Sequence, residues 1–273
     1  MPIYGKGCGV MMQNIKMIAL DLDGTLLHSD KTISDYAKDI IQKCRIQGIK
    51  VIFATVRGTT QHIAPAELFD GCVKKSGAVA YVGDALVYEK VMPIDMVRGL
   101  LLACHDAGLK VAMNNGKDDT HYANFNVAET WADITDFKMV DFAHINFDTD
   151  KIYAITETPN AIDVIKNNLP EGVYMFPSRD NLTFISHEGA VKSKAIMALG
   201  EQWGIKKEEI LSFGDDLIDI EMLQYCGVGV AMGNALDAVK AAADAVCDTN
   251  DNDGVAKWIE AHVLQKREAH HGI

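Results

Sequence analysis

Asp21 and Asp23 stand two residues apart, directly after the apolar run Met17-Ile18-Ala19-Leu20 and directly before Gly24. Two carboxylates aimed at one small volume repel each other unless a cation is shared or one of them keeps a proton. Hard divalent ions with oxygen ligands, Mg2+ above all, meet that need. A second acidic group follows another apolar run, Ile210-Leu211-Ser212-Phe213-Gly214, and contains Asp215, Asp216 and Asp219. Asp215 and Asp219 share a face if the turn after Gly214 runs into a helix. Two further residues have types that suit an anion. Thr55 closes the run 49–55, with Arg57 just beyond it, and Lys192 opens the helical stretch 192–203. A threonine hydroxyl donates to a phosphate oxygen without adding charge. A lysine at the start of a helix works against the dipole, so it is either solvated or held there by an anion. Each residue also has an ordinary reading, since Asp and Thr cap helices and a D-x-D-G string makes a polar turn.

The elements that must position these residues follow from local pattern. Short apolar runs closed by turn-forming residues read as buried strands of a parallel sheet, where ligands collect beyond the carboxyl ends. Ser34 with Ile40, Ile41, Cys44 and Ile46 reads as a capped helix ended by Gly48. With the strand 49–55 it completes a strand, helix, strand unit. A further strand is expected within 71–82. From Tyr88 to Phe147 aromatic residues, His and Asn become denser, which suggests a second domain inserted in the chain. Its expected elements are a helix over 93–107 with Met96, Leu100, Leu101 and Cys104 on one side, strand-like stretches in 109–114, 146–156 and 173–187, and a helix after Pro159.

The chain of 273 residues is 48% hydrophobic, enough for one large domain or two modest ones. A net charge of -12 leaves no basic footprint for nucleic acid or for an anionic membrane surface. The six cysteines are scattered without a C-x-x-C spacing, which favours reduced thiols and a cytoplasmic setting. No stretch approaches the length of a membrane span. The Gly-rich residues 1–13 read as a loose leader, and His270 and His271 as a solvated terminal pair.

The full string Asp21-Leu22-Asp23-Gly24-Thr25-Leu26-Leu27 resembles the first motif of the haloacid dehalogenase (HAD) superfamily of phosphotransferases. Three later stretches are similar to that superfamily's Cof-type sugar-phosphatase branch: Ala54-Thr55-Val56-Arg57, Gly189-Ala190-Val191-Lys192-Ser193-Lys194-Ala195, and Gly214-Asp215-Asp216-Leu217-Ile218-Asp219. The resemblance implies an α/β fold: a Rossmann-like parallel-sheet core over 14–83 and 188–265, with an inserted α/β cap of the C2B type over 84–187 that selects the substrate. It implies Asp21 as the nucleophile and Asp23 as general acid and base. Thr55, Arg57, Lys192 and Asn234 would bind phosphate, and Asp21, Asp23, Asp215 and Asp219 would hold Mg2+. Four positions depart from the family pattern: Val56 and Ser193 replace glycines, Gly58 replaces the proline after Arg57, and Ile218 stands where Asn is usual. Lys194 is the second lysine of its motif, and helix geometry turns it away from the face Lys192 uses.

The expected activity is Mg2+-dependent hydrolysis of small phosphate monoesters, such as sugar phosphates or phosphorylated cofactors, through an aspartyl-phosphate. The expected partner is a small-molecule phosphate ester, with neither nucleic acid nor membrane. A phosphomutase would share the nucleophile and the cap, and a binding protein that has lost turnover would share the pocket. A signalling receiver phosphorylated on Asp would explain neither the cap nor Lys192. On the cap, Asn114, Asn115, His121, Tyr122 and Arg179 are polar enough to hold a polyol, although such residues more often line surface loops. His144 reads equally as a satisfied core histidine.

Overall fold

The computed structural model describes residues 14–115, 120–131, 136–177 and 181–265. The leader 1–13, Arg179, His270 and His271 lie outside them. The chain divides into two compact units, Met1–Tyr88 with Val191–Ile273, and Glu89–Ala190.

The first unit begins with β1 (Met17–Leu20), whose four residues are all buried. Burial of every position, rather than every second one, fits a parallel strand covered on both faces. α1 (Asp35–Ile46) follows, with the Ser34 hydroxyl accepting the Ala37 N–H at its N-terminus. Its buried stripe is Ala37, Ile40, Ile41 and Cys44. Ile46, expected in that stripe, is 77% exposed, because it falls in the last turn beyond the residues that reach the sheet. β2 (Lys50–Ala54) and β3 (Gly71–Lys74) pair in parallel. The strand expected within 71–82 is two: β3 turns at 75–77 into the antiparallel β4 (Val79–Val82), followed by β5 (Ala85–Glu89). β5 extends the same sheet, so this unit continues to Tyr88 rather than ending at residue 83.

The second unit opens with α2 (Ile94–Asp106), which buries Ile94, Val97, Leu100, Leu101 and Cys104. Met96 lies off that stripe and is 36% exposed, since Val97 rather than Met96 is in phase with Leu100, Leu101 and Cys104. β6 (Val111–Asn114), β7 (His121–Ala123), β8 (Phe137–Met139) and β9 (Ile152–Ile155) follow, then α3 (Ala161–Asn168), β10 (Val173–Pro177) and β11 (Leu182–His187). They form a mixed sheet in the order β10-β11-β9-β6-β7-β8. Its own apolar core joins Leu100, Leu101, Val111, Met113, Ile152 and Ile165.

The chain then returns to the first unit with α4 (Lys192–Gln202), β12 (Ile210–Gly214), α5 (Ile220–Tyr225), β13 (Val228–Ala231), α6 (Asp237–Ala242), β14 (Ala245–Val246) and α7 (Gly254–Ile259). The completed sheet has the order β14-β13-β12-β1-β2-β3-β4-β5. Period-two alternation divides its side chains between two apolar layers. Ile18, Leu20, Phe53 and Phe213 meet α1 and α7 on one face, while Met17, Ala19, Ile52 and Ala54 meet α4 on the other. Helices on both faces of a mainly parallel sheet make this a doubly wound α/β unit.

Candidate active site

β1 and β12 are parallel neighbours, with Leu20 opposite Phe213. Asp21 and Asp215 therefore leave adjacent strand ends, where the sheet offers its crevice. Two glycines let the acidic loops close on each other. Gly24 has φ +76°, and a Cβ there would run into the Asp215 carboxylate. At Gly214 a Cβ would sit 2.5 Å from the Cβ of Asp219.

Asp21, Asp215 and Asp219 each bring one carboxylate oxygen within 4.8 Å of the others. Asp21 is 6% and Asp219 1% exposed. Lys192, 2% exposed at the first position of α4, donates from Nζ to Oδ1 of Asp21 and to Oδ1 of Asp219, both at 2.7 Å. Burial alone would lower its pKa, but the charges of Asp21 and Asp219 outweigh burial and raise it. The other oxygen of Asp219 accepts the backbone N–H groups of Asp215 and Asp216. The side chain of Asp219 thus ties Lys192 to the loop after β12. Thr25 Oγ1 donates to Asp215 at 3.3 Å.

Three carboxylates around one ammonium leave an excess of negative charge in a largely buried site. Burial pushes Asp21 up to about 8, with Asp219 and Asp215 adding to the rise and Lys192 opposing it. Burial and the neighbouring Asp219 and Asp216 push Asp215 up to about 6. An all-oxygen donor set with surplus negative charge fits a hard divalent cation. The sign of the pH dependence follows. Between about pH 4 and 8 the folded chain holds more protons at Asp21 and Asp215 than the unfolded chain, so stability falls as pH rises. In chelator, thermal melts should give a higher Tm at pH 5 than at pH 8, and added Mg2+ should shrink the difference. Equal slopes with and without Mg2+ would show that the carboxylates bind no cation.

Asp23 differs from its expected place beside Asp21. Its carboxylate is outside the cluster and faces two cations: Arg57 donates from Nε at 2.5 Å and from Nη2 at 2.8 Å, and Lys31 Nζ at 2.7 Å. Burial works to raise its pKa, but the hydrogen bonds of Arg57 and Lys31 win and bring it down to about 2. Two positive side chains relieve the repulsion between Asp21 and Asp23 that a shared cation was expected to relieve. Lys31 was no candidate from the sequence. It sits in the turn after the first motif with φ +67°, in a D-K-T stretch that reads as ordinary loop.

Thr55 is 1% exposed at the end of β2, and its Oγ1 accepts the Arg57 N–H at 3.2 Å. Asn234 reaches the loop after β1 directly: Nδ2 donates to the Gly24 carbonyl at 2.8 Å, while Oδ1 accepts the Asn250 N–H. Asn250 in turn donates to the Leu27 carbonyl. In this arrangement Asn234 supports the loop after Asp23. Ser193 bonds to the Glu221 carboxylate and is buried. Lys194 is exposed, on the side of α4 opposite Lys192.

The second unit holds the remaining candidates. Asn114 is 7% exposed and donates to the Thr120 carbonyl, and Asn115 meets the Tyr122 hydroxyl. His121 lies against Tyr153, with ring centroids 5.7 Å apart. His144 is on the surface, bonded to Asp141, and is no core histidine.

The sequence profile of the haloacid dehalogenase-like hydrolases matches residues 18–259. Among curated relatives, the 5-amino-6-(5-phospho-D-ribitylamino)uracil phosphatase YitU of Bacillus subtilis is 30% identical over 261 residues, spanning 90% of this chain and 97% of that protein. Among solved structures, a haloacid dehalogenase-like hydrolase from Bacteroides thetaiotaomicron superposes with a TM-score of 0.76 at 27% identity, over 90% of this chain and 99% of the other. The subclass IIB sugar phosphatase BT4131 gives a TM-score of 0.77 at 25% identity, over 90% and 98%. The chain belongs to the haloacid dehalogenase-like hydrolases and is an enzyme of their phosphatase kind.

Proposed function

We propose that this enzyme hydrolyses small phosphate monoesters, sugar phosphates or phosphorylated cofactors, with Asp21 as nucleophile and Mg2+ as cofactor. The observation that carries the reading is the buried Lys192, bonded at once to Asp21 and Asp219 beside a third carboxylate. A buried ammonium on the nucleophile neutralises charge where a phosphate dianion must approach an anion. Mg2+, held by Asp21, Asp215 and the Asp23 backbone carbonyl, would supply further charge neutralisation at the phosphoryl oxygens.

In the first step an oxygen of Asp21 attacks phosphorus and the bond to the leaving alcohol breaks, while Asp23, protonated from solvent once the arriving phosphate draws Arg57 and Lys31 away from it, gives that oxygen its proton. In the second, Asp23 takes a proton from water as the water oxygen attacks phosphorus, and the bond to Asp21 breaks with release of phosphate. Thr55 and Lys192 bind the equatorial oxygens where transition-state charge gathers. Arg57 faces the same loop, and its fork on Asp23 holds the carboxylate form that the second step requires. Asp219 contributes by fixing Lys192, and Asn234 by fixing the loop. The second unit is assigned the choice of leaving group, because the residues above account only for the phosphoryl group. Free thiols at Cys44, Cys72, Cys104, Cys226 and Cys247 suit a reducing compartment, and a cytoplasmic location is part of this reading.

Phosphate release from a panel of sugar phosphates and phosphorylated cofactors, with Mg2+ and with chelator, tests the proposal. Metal-dependent release supports it, and isomerisation of a sugar phosphate without release would make the enzyme a mutase. Asp23→Asn should lower kcat on alkyl phosphates by about 100- to 10,000-fold. An aryl phosphate, whose phenolate leaves without a proton, should lose much less in the first step. Equal losses on both, with burst kinetics absent, would remove Asp23 from the role of acid.

A further inference from the structure

The crossover from β2 to β3 spans residues 55–70, and its regular structure is a single turn of 3-10 helix at Ala66–Leu68. A parallel crossover ordinarily carries a helix that lies against the sheet. Here a loop roofs the sheet instead, and beneath it is a cavity of about 720 Å³. That size falls within the range of small-molecule sites. The floor follows from register: Phe53 is opposite Cys72 and Cys72 opposite Tyr81, so all three face one side, and Lys74 joins them two residues beyond Cys72. Phe69 comes down from the roof edge-on to Phe53, with ring centroids 5.0 Å apart.

Two polar groups in the lining find no hydrogen-bond or ion-pair partner for their side chains among the described residues. Thr60 is 4% exposed, yet its hydroxyl makes no hydrogen bond to any described residue. Lys74 is partly buried and forms no ion pair with a described residue. The acidic members of the lining, Glu67 and Asp84, are exposed and hydrated, so they oppose an anion on Lys74 only weakly. None of these residues belongs to the carboxylate cluster.

We propose that this cavity is a second binding site, for a small flat aromatic molecule bearing one anionic group. The ring system lies among Phe53, Phe69 and Tyr81, the anion meets Lys74, and the Thr60 hydroxyl donates to or accepts from a polar ring atom. The proposal stands apart from the phosphatase reading and survives its failure.

The probe is anilinonaphthalene sulfonate, an aromatic anion whose fluorescence rises in apolar surroundings, titrated into the full-length folded enzyme. Saturable binding at one site is expected, unchanged in Asp21→Asn and undisturbed by inorganic phosphate. Lys74→Gln should weaken it by about tenfold or more, the loss of one charge-assisted contact. Cys72→Trp should abolish it by filling the floor. Lys74 is partly exposed, so its variant keeps the test sharp if Cys72→Trp does not fold. Naphthoate should compete, and its neutral alcohol counterpart should compete at least tenfold less well by the same loss of charge. Unaltered binding in folded Lys74→Gln, displacement by inorganic phosphate, or no saturable binding would each overturn the proposal.

Discussion

Asp21→Asn is expected to abolish phosphate release while making the metal-free protein more stable. On the proposed mechanism the change removes the attacking carboxylate, and loss of a covalent nucleophile lowers kcat on the order of 10,000-fold or more. The fold should tolerate the change. Lys192 Nζ donates to Oδ1 of Asp21 at 2.7 Å, and an amide oxygen at the same position can accept that bond. What the amide removes is a buried negative charge, one of three carboxylates around one ammonium; burial first, and then Asp219 and Asp215, push Asp21 up to about 8. In chelator near pH 8 the variant should therefore melt higher than the parent, by about 2–4 °C for each kcal/mol of repulsion relieved. At pH 5, where Asp21 of the parent is already protonated, the two should converge. Substrate affinity should persist in the variant, because Lys192 and Thr55 remain. Retained turnover would remove Asp21 as the nucleophile, and a lower Tm at pH 8 would mean that the carboxylate is a structural anchor.

The residues of the site that could be located from sequence are those that end strands. Asp21, Thr55 and Asp215 each follow an apolar run whose burial is dictated by the run itself, and the end of a parallel strand is where such sheets place ligands. Lys192 was legible through its awkward position at a helix start. Its partner Asp219 was legible as an acid but not in its manner of acting. Its oxygens are taken up by Lys192 and by two backbone N–H groups, a consequence of how tightly the loop folds at Gly214. Lys31 was invisible, since its salt bridge to Asp23 depends on a positive φ in a loop with no periodic pattern. Ile46 and Met96 show the same limit on helices. Ile46 is near the right phase, but a stripe ends where the neighbouring element ends, while Met96 sits one residue off the stripe that Val97 occupies; both are tertiary facts. The cavity beneath the β2 to β3 crossover also had no local signature, because it arises where residues 55–70 form a loop in place of the helix that a parallel crossover ordinarily carries.

Lys192→Met should be the most destabilising single change at the site as well as a severe one for turnover. The ammonium is enclosed, its side chain 1% exposed, with Asp21 and Asp219 both at 2.7 Å. Methionine approximates its length and fills the channel without a cavity, so packing loss is small and the electrostatic change dominates. Removing one partner of a buried ion pair costs about 3–5 kcal/mol, because the remaining charges lose their compensation. At about 2–4 °C per kcal/mol, Tm should fall by roughly 10 °C at pH 8. The deficit should depend on pH in a definite direction. With Lys192 gone, the folded pKa values of Asp21 and Asp215 rise further above their unfolded values. Protonation then favours the folded state, and stability is regained as pH falls through them. Melts at pH 5 should recover much of the loss, and Mg2+ at pH 8 should recover part of it by returning positive charge to the cluster. kcat should drop by about 100- to 1,000-fold, the scale set by removal of one preorganised charge-stabilising group. A deficit independent of pH and of Mg2+ would assign the lysine to packing, and unchanged turnover in the folded variant would separate it from phosphoryl transfer.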